Sequence, residues 1–314
     1  MSQIKERPNV VIIAGPTASG KSSLAVELAL VLGGEIISSD SMQVFRGMDV
    51  GTAKPTLEQQ KNIPHHLIDA VDPDQEFNAA TFRSLALPLI GEICSRGKIC
   101  LVVGGTGLYI KSLLGGLLRS PPADTRLRES LRLECENHGS ERLYERLRLL
   151  DPEWASRIHP NDKVRIIRSL EIISRTNRRH SELSREHSFR DKALRALKLC
   201  LQVDREELYQ RINQRSAEMV RNGLVEEVKN LLEKGYSSDL KPMKSIGYRH
   251  IIKYLEGAWS LSEATLNLQR DTRRYAKRQL TWFRADPEFS WISPNDIEIA
   301  SLKIREFLVG GCLT

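Results

Sequence analysis

One stretch near the start of the chain limits what it can fold into. Ala14-Gly15-Pro16-Thr17-Ala18-Ser19-Gly20-Lys21-Ser22 follows the apolar run Val10-Val11-Ile12-Ile13 and precedes Leu24-Ala25-Val26-Glu27-Leu28-Ala29. It completes the pattern G-x-x-x-x-G-K-[ST] in the order buried strand, tight loop, amphipathic helix. Gly15 and Gly20 let the backbone approach an anion, successive N–H groups point inward, and the helix opening at Lys21 adds its positive end. Lys21 would neutralise a terminal phosphate, and the Ser22 hydroxyl would hold Mg²⁺. The loop predicts a phosphate cradle in an α/β protein. It leaves open whether the phosphates are transferred, hydrolysed or discarded.

The segments beside the loop narrow the chemistry. Glu35-Ile36-Ile37-Ser38-Ser39 reads as a second strand ending at Asp40, at the rim where open α/β sheets bind ligands. Asp40 reads equally as a ligand-site carboxylate at that rim and as a structural residue, either a helix N-cap or a turn residue bonding its own backbone. Residues 41–55 hold too many glycines and polar side chains for a regular element and form a shaped loop. Lys98 to Val103 reads as a buried parallel strand that ends in Gly104-Gly105-Thr106-Gly107-Leu108-Tyr109 instead of an acidic residue. An ATPase normally places a carboxylate for Mg²⁺ there, so simple ATP hydrolysis is disfavoured. Two readings of the glycines remain: a backbone-lined passage with Thr106 on its wall, or a close-packed turn into the next helix. His65 and His66 are adjacent on an extended chain, point to opposite sides, and read as structural, not as a metal pair. Asn78 caps a predicted helix whose apolar positions run from Phe82 to Ile93.

At 314 residues the chain is long enough for an α/β core and an added domain. Near Arg119 the composition shifts. Ser120-Pro121-Pro122-Ala123-Asp124 is a stiff break, and as far as Arg190 the pattern predicts short helices rich in Arg and Glu. Their apolar stripe is Leu127, Leu131, Leu143, Leu147 and Leu150. In the helix from Val164 to Ile172, Arg165 and Arg168 lie one turn apart on the same face. Strand character returns at Leu197 to Val203, and Arg211 and Arg215 then follow at i, i+4 spacing. The expected organisation is a core over residues 1–118, a helical insertion over 119–194, and a resumed core with basic helices over 195–314.

A formal net charge of +7 fits a polyanionic partner, and the charge is concentrated late in the chain. From Gln269 to Arg284 the cations Arg270, Arg273, Arg274, Lys277, Arg278 and Arg284 surround the carboxylate Asp271. This imbalance favours contact with a phosphate backbone over a merely solvated face, while Tyr275, Trp282 and Phe283 read as core. The five cysteines, Cys94, Cys100, Cys135, Cys200 and Cys312, are scattered and never form C-x-x-C. That argues for a reducing compartment and against a disulfide frame or a zinc site. The N-terminus is short and polar and no stretch is long and apolar enough to span a bilayer, so a cytoplasmic, membrane-free protein is expected.

Several separate stretches together resemble the bacterial-type tRNA dimethylallyltransferase family, also called tRNA isopentenyltransferases. They are Gly15 to Ser22, Ser39 to Lys54, Gly104 to Tyr109, His159-Pro160-Asn161-Asp162, Ile246-Gly247-Tyr248 and Thr272 to Gln279. The resemblance runs from the first strand to the basic helix, and implies a P-loop NTPase-like parallel-sheet core with a helical insertion domain for tRNA contact. It also implies transfer of a dimethylallyl group from dimethylallyl diphosphate to the exocyclic amine of the adenosine just 3′ of the anticodon. The products are N6-isopentenyladenosine and diphosphate.

On this resemblance Gly15, Pro16, Thr17, Ala18, Ser19, Gly20, Lys21 and Ser22 hold the diphosphate, with Mg²⁺ on Ser22 and further help from Arg211 and Arg215. Thr17 bonds near the scissile C–O bond, and Asp40 accepts the proton of the attacking amine. Lys21 offsets charge growing on the leaving group. The adenosine is extruded from its stack, with Asp40, Ser41, Met42 and Gln43 at its edge and Thr106 on the channel wall. Arg128, Val164, Arg165, Ile166, Ile167 and Arg168 contact the tRNA, and the protein is expected to act as a monomer. Ser22 stands where many members have Thr, and either hydroxyl can hold the metal. A C-terminal zinc finger of the kind found in eukaryotic members is not expected, which fits the cysteine count. The competing readings are an isopentenyltransferase acting on free adenine nucleotides, a P-loop small-molecule kinase and a non-catalytic RNA-binding protein.

Overall fold

Apolar runs of four to six residues separated by helical stretches can bury both faces only as parallel strands with helices on either side. The computed structural model describes residues 7–118, 121–187, 191 and 193–310. Arg119 and Ser120 at the expected boundary, the first six residues and Cys312 lie outside them. The elements run β1 (Asn9–Ala14), α1 (Lys21–Leu32), β2 (Gly34–Ser38), α2 (Leu57–Gln60), β3 (His65–His66), α3 (Ala79–Ser95), β4 (Ile99–Gly104) and α4 (Gly107–Gly115). Next come α5 (Thr125–Leu150), α6 (Pro152–Ala155), α7 (Lys163–Thr176) and α8 (His180–His187). The chain then continues through β5 (Arg195–Leu201), α9 (Arg205–Met219), a π-helical turn (Val220–Leu224) and α10 (Val225–Glu233). It ends with α11 (Tyr248–Leu255), α12 (Leu261–Arg284), β6 (Ser290–Ile292) and α13 (Ile297–Val309).

Two compact units emerge, one from residues 1–114 with 192–314 and the other from residues 115–191. In the first, the six strands form a parallel sheet in the order β3-β2-β4-β1-β5-β6. The central β1 is buried from Val10 to Ala14, which its uninterrupted apolar run requires. Leu24, Ala25, Leu28 and Ala29 of α1 pack with Val11, Ile13, Leu101 and Leu199 in the core of one sheet face. The paired histidines form the edge strand β3. His66 Nε2 lies 2.8 Å from Glu35 Oε2, a carboxylate that also accepts from Arg96, and His65 Nδ1 lies 2.8 Å from the Ile63 carbonyl. Asn78 caps α3 through Oδ1, which accepts from the Ala80 and Thr81 N–H groups. No helix among the described residues is long and apolar enough to cross a membrane.

The second unit is entirely helical among its described residues. Its core joins Leu131, Cys135, Leu143 and Leu147 of α5 to Ala155, Ile158, Ile166, Ile167 and Leu170. The first helix keeps to the expectation of short pieces: α5 is two helices that meet at a kink at Gly139, where φ is 82° and ψ 162°. Leu150 departs from the apolar stripe and is exposed, because the helix turns its last residues outward before the Asp151 cap. Asp151 is buried and accepts from the Trp154 and Ser181 N–H groups, which ties α6 to α8. Trp154 stacks on His180 with ring centroids 3.9 Å apart and donates its indole N–H to Ser169 Oγ at 2.8 Å, while His180 Nδ1 lies 3.1 Å from the same hydroxyl.

Burial pulls His180 down to about 4, with Asp151 opposing the shift and Arg168 assisting it. The unfolded chain therefore takes up the proton first, so the contribution of neutral His180 is complete above pH 6.5 and declines as pH falls towards 4. Urea titrations between these two pH values should show stability falling by up to roughly 3 kcal/mol from this source. His180→Phe, which keeps the stack on Trp154, should make that slope shallower. Equal slopes for the two proteins would assign the acid sensitivity elsewhere.

Candidate active site

Parallel strands end on one side, so the loops after β1, β2 and β4 converge at the carboxyl edge of the sheet. The loop after β1 has Ala18 at φ 64° and Gly20 at φ 90°, and the Ser19 N–H donates to the Pro16 carbonyl. Helix α1 starts at Lys21 with no side chain capping its first N–H groups, which leaves them to a ligand. Lys21 Nζ donates to the Pro16 carbonyl at 3.1 Å. Burial lowers the Lys21 ammonium to about 8; Asp40 counters the shift and Arg215 adds to it.

Arg215 arrives from α9 and donates to the Thr17 hydroxyl. Burial lowers its pKa from the ordinary arginine value, again with Asp40 opposing. Two half-buried cations are thus held with one carboxylate facing both, an arrangement that draws in an anion. Arg211, one turn earlier, pairs with Glu207 at 2.5 Å and stands near Gly20, outside the residues that line the cavities at this rim.

Asp40 satisfies both of its sequence readings. Oδ1 accepts from the Met42 N–H at 2.8 Å and the Gln43 N–H at 3.4 Å, forming the turn. The same side chain lines two cavities, one of about 60 Å³ beside Lys21 and Ser22 and one of about 290 Å³ beside Ser41, Met42 and Tyr275. Thr17, Asp40, Thr52 and Arg215 line both, so the phosphate loop and the larger cavity meet at a carboxylate. Thr106, expected on the channel wall, is not among the residues lining either cavity; its Oγ1 accepts from the N–H of the cavity-lining Ser41 at 3.1 Å. The Gln43 amide turns inward, donating to the Ala53 carbonyl at 3.2 Å and contacting Ser38 Oγ at 3.1 Å.

Helix α12 departs in part from the sequence reading, in which its three aromatics are core. Phe283 is core, whereas Trp282 is partly exposed, and Tyr275 lines the larger cavity instead of the core. Burial, with Asp40 nearby, raises the Tyr275 phenol to about 12. Asp271 collects Arg249, Arg270, Arg274 and His250 and stays ionised, because their hydrogen bonds outweigh its partial burial. Arg274, Lys277, Arg278 and Arg284 remain on the exposed face.

The loop of residues 49–51 is held by a single carboxylate. Glu227 accepts from the N–H groups of Asp49 at 2.8 Å, Val50 at 2.7 Å and Gly51 at 3.0 Å, and from the Tyr248 hydroxyl at 2.6 Å. A Cβ on Gly51 would come within 2.6 Å of the Tyr248 ring, so only glycine fits. No motif in the sequence links Glu227 to this loop, since their association is purely tertiary.

In the helical unit, a third cavity of about 300 Å³ is lined by Arg128, Arg132, Lys163 and Arg168 over Val164 and Ile167. Arg128 Nε and Arg168 Nη1 both donate to Oε2 of the fully buried Glu171, at 2.9 and 2.5 Å, and the Asp124 N–H donates to Oε1. Burial opposes ionisation of Glu171, but these three donors hold its pKa below the usual carboxylate value. Arg165 is exposed and Val164 is 79% exposed, whereas Ile166 is fully buried in the helical core and presents no surface to a ligand.

A parallel sheet with a glycine-rich loop after β1, two half-buried cations and a carboxylate shared by two cavities is consistent with the core of a P-loop protein. The comparisons with known proteins specify the group. A model of the IPP transferase family matches residues 43–286, and one of isopentenyl transferases matches residues 8–70. The tRNA dimethylallyltransferase of Geobacter sulfurreducens is 53% identical over 93% of this chain and 94% of its own length. That of Citrifermentans bemidjiense is 48% identical over 98% and 100%. The crystal structure of a tRNA isopentenylpyrophosphate transferase from Bacillus halodurans superposes with a TM-score of 0.71 at 40% identity, covering 97% of each chain. A eukaryotic dimethylallyltransferase acting on tRNA gives 0.77 at 30% identity, covering 92% of this chain and 75% of the other. The chain belongs to the tRNA dimethylallyltransferase family.

Glu227→Ala should leave three backbone N–H groups and a buried hydroxyl without their acceptor, at a cost of about 1–3 kcal/mol in urea unfolding. Amide exchange at Asp49, Val50 and Gly51 should accelerate well beyond that of β1. Unchanged protection at these three amides would show that the loop is held by other contacts.

Proposed function

We propose that this chain transfers a dimethylallyl group from dimethylallyl diphosphate to the exocyclic amine of the adenosine 3′-adjacent to the anticodon of tRNA. The observation that carries the reading is the junction of the two cavities at Thr17, Asp40 and Arg215. Lys21 and Arg215 suit the smaller cavity to an anion, the larger has room for a planar reactant, and both share one carboxylate, while β4 lacks the acidic strand end that ATP hydrolysis uses.

In this reaction the amine nitrogen attacks the terminal allylic carbon, and the carbon–oxygen bond to the diphosphate breaks with its electron pair going to the bridging oxygen. The proton lost by the nitrogen passes to Asp40. Lys21, Arg215 and the free N–H groups at the start of α1 stabilise the charge that collects on the departing diphosphate. The Thr17 hydroxyl, held by Arg215, stands between the two cavities and orients the bridging oxygen. Ser41 and Met42, with Thr106 bonded to the Ser41 backbone, bound the side on which an extruded base enters.

Ser22 lines the smaller cavity with Asp40, and among the described residues no group of three or more His, Cys, Asp or Glu converges into a cage. That donor set suits Mg²⁺, which keeps water ligands and takes its remaining oxygens from phosphates. Bound at Ser22, Mg²⁺ would supply further neutralisation of the leaving group. The cations of the helical unit, Arg128, Arg165 and Arg168 among them, and the exposed face of α12 serve the RNA backbone.

Incubating the protein with unmodified tRNA, dimethylallyl diphosphate and Mg²⁺, followed by nucleoside mass analysis, should yield N6-isopentenyladenosine. Transfer to AMP at an equal rate, or phosphate transfer from ATP instead, would overturn the reading. Asp40→Asn keeps an oxygen for the turn but removes the base, and should lower kcat by about 10²–10⁴ while tRNA affinity holds. Arg165→Ala should weaken tRNA binding and reduce its salt slope by about one. A salt slope equal to that of the wild type would make Arg165 a structural residue.

A further inference from the structure

The centre of the site is crossed by a side chain to which the proposed reaction gives no role. Gln279 of α12 is only 6% exposed. Its Oε1 accepts from the Thr17 N–H at 2.9 Å, and its Nε2 donates to the Gly105 carbonyl at 2.9 Å. The amide can face only one way, since reversal would set donor against donor at Thr17 and acceptor against acceptor at Gly105. One helical turn earlier on α12, Tyr275 lines the larger cavity together with Thr17 and Ser41. Thr106 accepts from the Ser41 N–H.

The glycine turn after β4 is shaped around this amide. A Cβ on Gly105 would sit 2.1 Å from Gln279 Nε2, so the close approach requires glycine there. The bond also removes one amide from the phosphate cradle. In a loop whose N–H groups serve an anion, that of Thr17 is committed to Gln279, which fixes the Thr17 backbone while its hydroxyl meets Arg215 at the junction of the cavities.

We infer that Gln279 is a positioning residue for the transfer step: its side-chain amide sets the Thr17 hydroxyl at the junction of the cavities, on the wall shared with Ser41 and Tyr275, and so holds the donor loop in register with the base-entry side. The inference rests on the proposed reaction. It goes beyond it in making catalytic geometry depend on a residue of the basic helix that touches neither reactant.

The test compares wild type, Gln279→Met and Gln279→Glu in single-turnover transfer to tRNA, alongside melting temperature and tRNA affinity. Met fills the same space without hydrogen bonds, and Glu keeps the acceptor for Thr17 while opposing an oxygen to the Gly105 carbonyl. Both variants should lose transfer rate by roughly 10²-fold, with tRNA affinity held within about twofold. A Met variant that turns over at the wild-type rate would show that the amide merely fills space and would overturn the inference. Loss of tRNA affinity in proportion to rate would overturn it too, by making the role structural. If neither variant folds, Gly105→Ala presses a methyl group on the same amide, and wild-type turnover in that folded variant would be equally fatal. Failure of the wild type itself to transfer the group would sink the proposed reaction, a distinct result.

Discussion

The structure around the site is governed by the cost of keeping Lys21 and Arg215 charged where both are half-buried, with Asp40 as their shared counter-charge. Burial lowers both pKa values, so each cation gains when an anion arrives beside it. The fold sustains this tension by fixing every group around it. Lys21 is tied to the Pro16 carbonyl, Arg215 to the Thr17 hydroxyl, and Asp40 to the turn that it caps. A site assembled in advance has little reorganisation left to do when charge moves, which is where polar catalysis gains most.

The walls are held by single polar side chains that reach across the chain. Gln279 joins α12 to the phosphate loop and to the turn after β4, and Glu227 joins α10 to the loop after β2 and to Tyr248. Glu171 does the same in the helical unit, where it gathers Arg128, Arg168 and the cap of α5. In each case a buried or half-buried acceptor has all its partners supplied. Such groups are costly when unpaired and rigidifying when satisfied. Gly51 and Gly105 are the complements of two of these anchors, places where any side chain would collide with the bridging group.

Where the pattern of residues along the chain was ambiguous, the structure explains why. Asp40 read equally as a rim carboxylate and as a turn residue, and it is both, because one oxygen caps the turn while the side chain lines the cavities. The glycine run after β4 read as a passage wall or as a tight turn, and the entry of Gln279 makes it tight while Thr106 still faces Ser41. Arg165 and Arg168 share a helix face but not a circumstance: Arg165 is exposed, and Arg168 leans on a buried carboxylate. Tyr275 looked like core because an aromatic at helical spacing usually is, yet the packing of α12 turns it towards the larger cavity.

The sequence alone determined the phosphate loop, the parallel strands that carry it, the helical insertion and the family, because these are local patterns: a fixed spacing of glycines and a lysine, unbroken apolar runs, and motifs read over a few residues. Tertiary structure decided which distant side chains complete the site. Thr17 and Gln279 stand 262 positions apart, and Asp49 and Glu227 stand 178 apart. No local preference encodes such a meeting. It exists only once burial of the apolar faces has brought the helices over the sheet, and only then does an amide or a carboxylate find the backbone groups it must satisfy.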